Sequence, residues 1–169
     1  TRKNQESLQG VMDIEIKQLP LERFDEMDAL FDMSSVADFR ENRLKSLKAG
    51  NEICLIALKD NVIIGEISIM VQGINIPEAV IPNKRVYLFG FRVKEEHRNM
   101  GVGKALLANA ISLCMKRGVF QFTVGVEKDN KRVKRLYESF GFITAGENYV
   151  EMCNGKPNKF DLMLLQTRK

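Results

Sequence analysis

Two glycines one residue apart, Gly101 and Gly103, stand in "HRNMGVGKALLANAISL", between a charged turn and a long run of helical periodicity. A helix start leaves about four backbone N–H groups without partners and carries a partial positive charge. Residues without a Cβ at that point let another molecule approach the backbone closely, and the two effects together make an anion cradle. A plain flexible turn also uses glycine, so the spacing alone leaves both readings open. The architecture around it is constrained either way. A strand, "VYLFGFRV", must end at Val93, and an amphipathic helix must leave the turn and run to Gly118.

The rest of the chain fits this motif into one domain. With 169 residues the chain is long enough to bury a core without disulfides or metals. Residues 1–11 lack the apolar centre of a signal peptide and read as a flexible tail or expression remnant. Met12 is a natural start, and 12–169 form the domain. No apolar run approaches the ~18 residues of a membrane span, which places the protein in the cytoplasm and away from the membrane. Cys54, Cys114 and Cys153 are far apart and sit in apolar runs, so they read as buried free thiols. His97 is the only histidine. It lies in a charged turn and reads as a solvated loop residue, so neither a zinc site nor a histidine-dependent nucleophile is expected. The net charge of +4 suits an anionic ligand without requiring one.

Alternation over 13–19 predicts a first strand. Pro20 opens a helical stretch, "PLERFDEMDALFDM", with Leu21, Phe24, Met27, Leu30 and Phe31 on one face. Ser34 or Ser35 caps a second helix running through Val36, Phe39, Leu44 and Leu47 to a stop at Gly50. "EICLIALKDNVIIGEISIMVQG" predicts a hairpin turning at Asp60-Asn61. After the glycine motif and its helix come a strand "VFQFTVGV", a short helix "NKRVKRLYESFGF", and a last hairpin, "ENYVEMC" with "KFDLMLLQT", turning at Asn154-Gly155. The order β, α, α, β, β, β, α, β, α, β, β implies an α/β fold. Its mixed sheet is mostly antiparallel, with one right-handed parallel crossover and helices on both faces.

Three phosphate-binding patterns compete for the glycine motif. A P-loop requires G-x-x-x-x-G-K-[S/T], but Arg98 replaces its first glycine and Ala105 its hydroxyl. A dinucleotide fingerprint requires a small residue at Leu106 and a place at the first strand. The third, R/Q-x-x-G-x-G/A, is met by "RNMGVG", Arg98 to Gly103. With this motif, with "VGVEKDNKRVKRLYESFGF" downstream and with the element order from Met12 onward, the chain resembles the GNAT superfamily of acyl-CoA-dependent N-acetyltransferases.

That resemblance implies acetyl-CoA as co-substrate, no metal, and a splayed parallel strand pair. Phe91, Arg92 and Val93 would border the gap, with Gly90 at the bulge that opens it. The pyrophosphate would rest on Arg98, Asn99, Met100, Gly101, Val102, Gly103 and Lys104. Asn130 would bond the pantetheine arm, and Lys134 would favour the phosphates. Tyr137 would border the cofactor and act as general acid toward the leaving sulfur. Many relatives carry a glutamate base on the strand before the glycine motif; here that place is Tyr87, leaving Glu66, Glu151 or a water chain. "KDNKRVKR" holds five basic residues but lacks the interleaved aromatics of a nucleic-acid site. The function implied is acetyl transfer to a primary amine, small molecule or peptide, by direct attack in a ternary complex. A non-catalytic acyl-CoA sensor is the alternative. Glu78, Glu147 and Glu151 lie in segments that would face a cationic acceptor, and the C-terminal strands allow a homodimer.

Overall fold

The computed structural model describes residues 13–33, 36, 38–74, 76, 78–153 and 155–168, the side chain of Cys153 aside. The proposed tail 1–11, the caps Ser34 and Ser35, and turn residue Asn154 lie outside the described residues.

Among the described residues, seven strands form one sheet: β1 (Ile14–Gln18), β2 (Glu52–Lys59), β3 (Val62–Met70), β4 (Arg85–Val93), β5 (Gln121–Val126), β6 (Ile143–Cys153) and β7 (Lys156–Gln166). Their spatial order is β1-β2-β3-β4-β5-β7-β6. Among the described strands only β4 and β5 pair in parallel, and the helix between them provides the crossover that a parallel pair needs. The β2–β3 turn falls on Asp60 and Asn61, with φ of 50° and 62°, the left-handed pair that a two-residue hairpin requires.

Among the described residues, four α-helices cover the sheet: α1 (Phe24–Asp28), α2 (Phe39–Ala49), α3 (Val102–Lys116) and α4 (Lys131–Ser139). Helix α3 buries Val102, Leu106, Leu107, Ala110, Ile111 and Cys114, the three-and-four spacing of one face. These residues join Leu88, Phe122, Val124, Tyr137 and Phe142 in the larger core. On the other face, Phe24 and Met27 of α1 pack with Cys54, Ile56, Leu58 and Ile63 in a smaller core.

Three expectations are corrected. The stretch after Pro20 is not one long helix. It is a single 3-10 turn, Leu21–Arg23, followed by five helical residues. Leu21 is exposed, and the Phe31 ring lies beside the Arg92 guanidinium, 5.1 Å from its centroid, instead of continuing the apolar face. Helix α2 begins at Phe39, after Asp38 in a left-handed conformation (φ 56°). Glu66, left as a candidate base, is not a free carboxylate: it is 1% exposed and belongs to an ionic cluster under the sheet.

In that cluster Arg43 of α2 donates to Glu52 Oε1 at 3.0 Å, to Glu66 Oε1 at 3.2 Å and to Ser68 Oγ at 2.8 Å. Ser68 donates in turn to Glu52 Oε1 at 2.7 Å. Burial raises the Glu66 pKa, and Arg43 opposes the shift. An ion pair of this kind adds little net stability, but removing one partner leaves an uncompensated buried charge. Arg43→Ala should therefore lower the unfolding free energy by about 3–5 kcal/mol in a urea titration. The exposed Lys45→Ala, on the same helix, should change it by less than about 0.5 kcal/mol.

Candidate active site

The site forms where β4 and β5 part. Their pairing runs from Arg85 opposite Gln121 to Leu88 opposite Val124 and then stops. Beyond that point β4 still pairs with β3 as far as Val93 opposite Gly65, and β5 still pairs with β7 as far as Val126 opposite Asp161. Each strand keeps its outer neighbour while their facing edges open. The cause is visible in the β3–β4 register. Ser68 faces Phe89 and Glu66 faces Arg92, so Ile67 opposes both Gly90 and Phe91. This is a β-bulge, which bends and twists its strand. Gly90 has φ +58°, and a Cβ there would lie 3.5 Å from Glu66 Oε1.

The open edge leads into a cleft of about 820 Å³ between α3, α4 and the end of β4. At the mouth of α3, Gly101 takes φ +84°, a conformation costly for residues with a Cβ. The first helical bond runs from Ala105 N–H to Gly101 O, so the N–H groups of 101 to 104 have no partner inside the helix. Gly103 serves a different purpose. A Cβ there would meet the Phe91 ring at 3.1 Å, so its absence lets the helix start close over the edge of β4. The two glycines of the motif therefore answer two demands, a left-handed turn and a close approach.

Of the residues singled out by sequence, Phe91, Arg92, Val93, Arg98, Asn99, Gly101, Val102, Gly103, Lys104 and Asn130 line this cleft. Met100 and Lys134 do not; Lys134 lies 4.0 Å from Glu138 on an exposed face of α4. Tyr137 stands behind the cleft wall, 5% exposed. Its ring is 6.4 Å from Phe91 and 5.4 Å from Phe142, and burial raises its hydroxyl pKa. Asn130 caps α4, its Oδ1 accepting from Val133 N–H at 3.2 Å. The Asn99 Oδ1 accepts from Arg132 at 2.9 Å, tying the two helix starts together.

Sequence reasoning missed Phe31, Arg132, Arg135 and His97 in the lining. His97 is half-buried there rather than solvated. Arg132 and Arg135 follow Asn130 on the helix that its cap starts, and that spacing was the available signal. With Arg92, Arg98 and Lys104 they give the cleft five basic residues, with no carboxylate among its described lining. Two helix starts and this charge make a site for a polyanion. On the far side of the sheet Tyr87 is half-buried, and burial pushes its pKa up to about 12. The Cys54 and Cys114 thiols are buried, and desolvation raises them to about 12 and about 11.

Comparison with known proteins gives a consistent picture. The family model described as "Acetyltransferase (GNAT) family" matches residues 9–142. N-alpha-acetyltransferase 40 of Saccharomyces cerevisiae is 28% identical over 122 residues, 63% of this chain and 42% of that protein. The [ribosomal protein bS18]-alanine N-acetyltransferase of Escherichia coli K12 is 33% identical over 79 residues, 46% of this chain and 53% of that one. The chain thus spans about half or less of the length of these curated relatives. Among solved structures, the PaiA N-acetyltransferase of Thermoplasma acidophilum in complex with coenzyme A superposes with a TM-score of 0.68 at 18% identity. The match covers 91% of this chain and 99% of that one. At that identity the likeness shows a shared fold.

Gly101→Ala should cost about 1 kcal/mol of stability through its left-handed φ. It should also weaken coenzyme A binding at least several-fold by turning the free N–H groups, as calorimetric titration would measure.

Proposed function

The chain belongs to the acetyltransferase (GNAT) family, and on that basis we propose that it transfers acetyl from acetyl-CoA to a primary amine by direct attack in a ternary complex. The observation that carries this reading is the pairing of a polyanion cradle with a parted strand edge in one continuous cleft. The diphosphate would sit on the N–H groups at the mouth of α3, with Arg98, Lys104, Arg132 and Arg135 around it. The pantetheine arm would run along the open edge of β4, taking up backbone groups that β5 leaves unpaired. The thioester then reaches the gap beside Phe91.

Direct attack is supported by the thiols. Cys54 and Cys114 are held protonated and buried, so neither offers the thiolate that an acyl-enzyme would need. Tyr137 remains a neutral phenol at working pH because burial raises its pKa, and a neutral phenol can donate to a departing thiolate. One relative is named an N-alpha-acetyltransferase and another a [ribosomal protein bS18]-alanine N-acetyltransferase, which makes peptide N-termini the first acceptors to try, beside simple alkylamines and polyamines.

The test is CoA release from acetyl-CoA with an amine panel. Wild-type protein should turn over at least one acceptor class. Tyr137→Phe should lower kcat by about 100-fold while the acetyl-CoA Kd stays within about twofold. Tight acetyl-CoA binding without turnover of any amine would contradict the enzymatic reading and favour an acyl-CoA sensor.

A further inference from the structure

The cleft is lined from both faces of the sheet. A Cβ on Gly65 would meet the Leu106 side chain of α3 at 3.2 Å and the Val93 side chain at 3.4 Å, so Val93 points to the α3 face. Alternation along β4 then sends Arg92 to the opposite face. There it stands across from Glu66, whose carboxylate meets Arg43 of α2. Phe31 and Arg92 therefore line the cleft from the side of α1 and α2. Arg98, Lys104, Arg132 and Arg135 line it at the starts of α3 and α4.

Arg92 differs from the other arginines that are not exposed. Arg23, Arg43 and Arg85 each donate to a carboxylate or an amide oxygen. Among the described residues Arg92 has no hydrogen bond and no ion pair. Its contact is the Phe31 ring, 5.1 Å away. Stacking of this kind covers a flat face of the guanidinium and leaves its in-plane N–H donors unused. The two carboxylates that act on it, Glu66 and Asp28, already have guanidinium partners, Arg43 at 3.2 Å and Arg40 at 3.8 Å. Burial lowers the Arg92 pKa despite both of them, whereas that of Arg43 is raised. A half-buried cation of this kind is short of one anion, because charges taken out of water are normally paired.

Coenzyme A does not supply that anion. Its diphosphate and phosphate monoester together carry about four negative charges, which the four basic residues at the helix starts match. Arg92 lies on the other face, and the pantetheine arm that would pass it is uncharged. Glu78, Glu147 and Glu151 stay outside the described lining, so no carboxylate there invites a second cation. We propose that Arg92 sets the acceptor specificity, its planar fork pairing with a carboxylate carried by the amine substrate. The proposal rests on the acetyl transfer described above. It narrows the acceptor to an amino acid or a peptide with an acidic N-terminal residue, and it sets polyamines aside.

The probes are amines of matched length: propylamine, β-alanine and 1,3-diaminopropane, beside tripeptide amides that begin with glutamate, glutamine or lysine. The measurement is kcat/KM at saturating acetyl-CoA, referred to the neutral amine. Wild-type protein should favour the carboxylate over its uncharged match by roughly tenfold or more, with the dicationic or lysine probe last. Preference for β-alanine alone marks a free amino acid, and preference for the glutamate peptide marks an acidic N-terminus. Arg92→Gln should bring that ratio to within about twofold of unity, and Arg92→Lys should keep part of it. Arg92→Glu should invert it toward the diamine or the lysine peptide, which loss of packing alone would not do. A wild-type ratio near unity in both series, or a ratio untouched by Arg92→Gln, would overturn the proposal while leaving the acetyl transfer standing. So would a loss of acetyl-CoA affinity in Arg92→Gln with the ratio unchanged, which would make Arg92 a cofactor contact. A wild-type protein that binds acetyl-CoA and acetylates no amine would overturn the transfer itself, and this role with it.

Discussion

A parallel strand pair that stops pairing halfway is an expensive arrangement, because buried backbone N–H and C=O groups need partners. Here β4 and β5 separate after Leu88 and Val124, yet neither strand frays. Each is clamped on its outer side, β4 by β3 and β5 by β7. The bulge at Gly90 redirects β4, and the bulge is itself seated on the Glu66 carboxylate. The ionic cluster of Arg43, Glu52, Glu66 and Ser68 therefore sets geometry more than stability. It ties α2 to β2 and β3 directly beneath the point where the sheet opens.

Charge is distributed to match. Two helix starts and five basic residues line the cleft, and four of these residues, Arg98, Lys104, Arg132 and Arg135, lie on or next to those helix starts, where a diphosphate would bind. Arg92 is the basic residue beside Phe31, and the buried Glu66 acts on it from below. On the proposed reading, an acceptor amine entering beside Phe31 would meet an arginine whose field is partly cancelled. Tyr137, behind the cleft wall, is kept a neutral phenol by burial.

The parts of this arrangement encoded by neighbouring residues were legible in the sequence. Element order, the Asp60-Asn61 hairpin, the bulge glycine and the cradle at Gly101 all follow from local pattern, because turn geometry and amphipathic spacing act over a few residues. What depends on register between distant segments was not. Arg43 sits in a mostly polar helix and looks solvated until α2 is laid against β2 and β3. Glu66 in an apolar strand gave the one hint of a buried partner. Phe31 has the spacing of a core residue, but the short α1 ends before it and turns it toward Arg92. His97, Arg132 and Arg135 line the cleft where two segments distant in sequence meet, joined there by the Arg132–Asn99 hydrogen bond.

The central claim is that the backbone at the mouth of α3 grips a diphosphate and so delivers a thioester to the parted strands. Amide NMR titration tests it most directly, comparing coenzyme A with pantetheine, which lacks the diphosphate. The account predicts that coenzyme A shifts the Gly101, Val102, Gly103 and Lys104 amides far more than pantetheine does, while both ligands perturb the amides of Phe91 to Val93. Equal shifts at 101–104 with both ligands, or coenzyme A shifts confined to another surface, would contradict it.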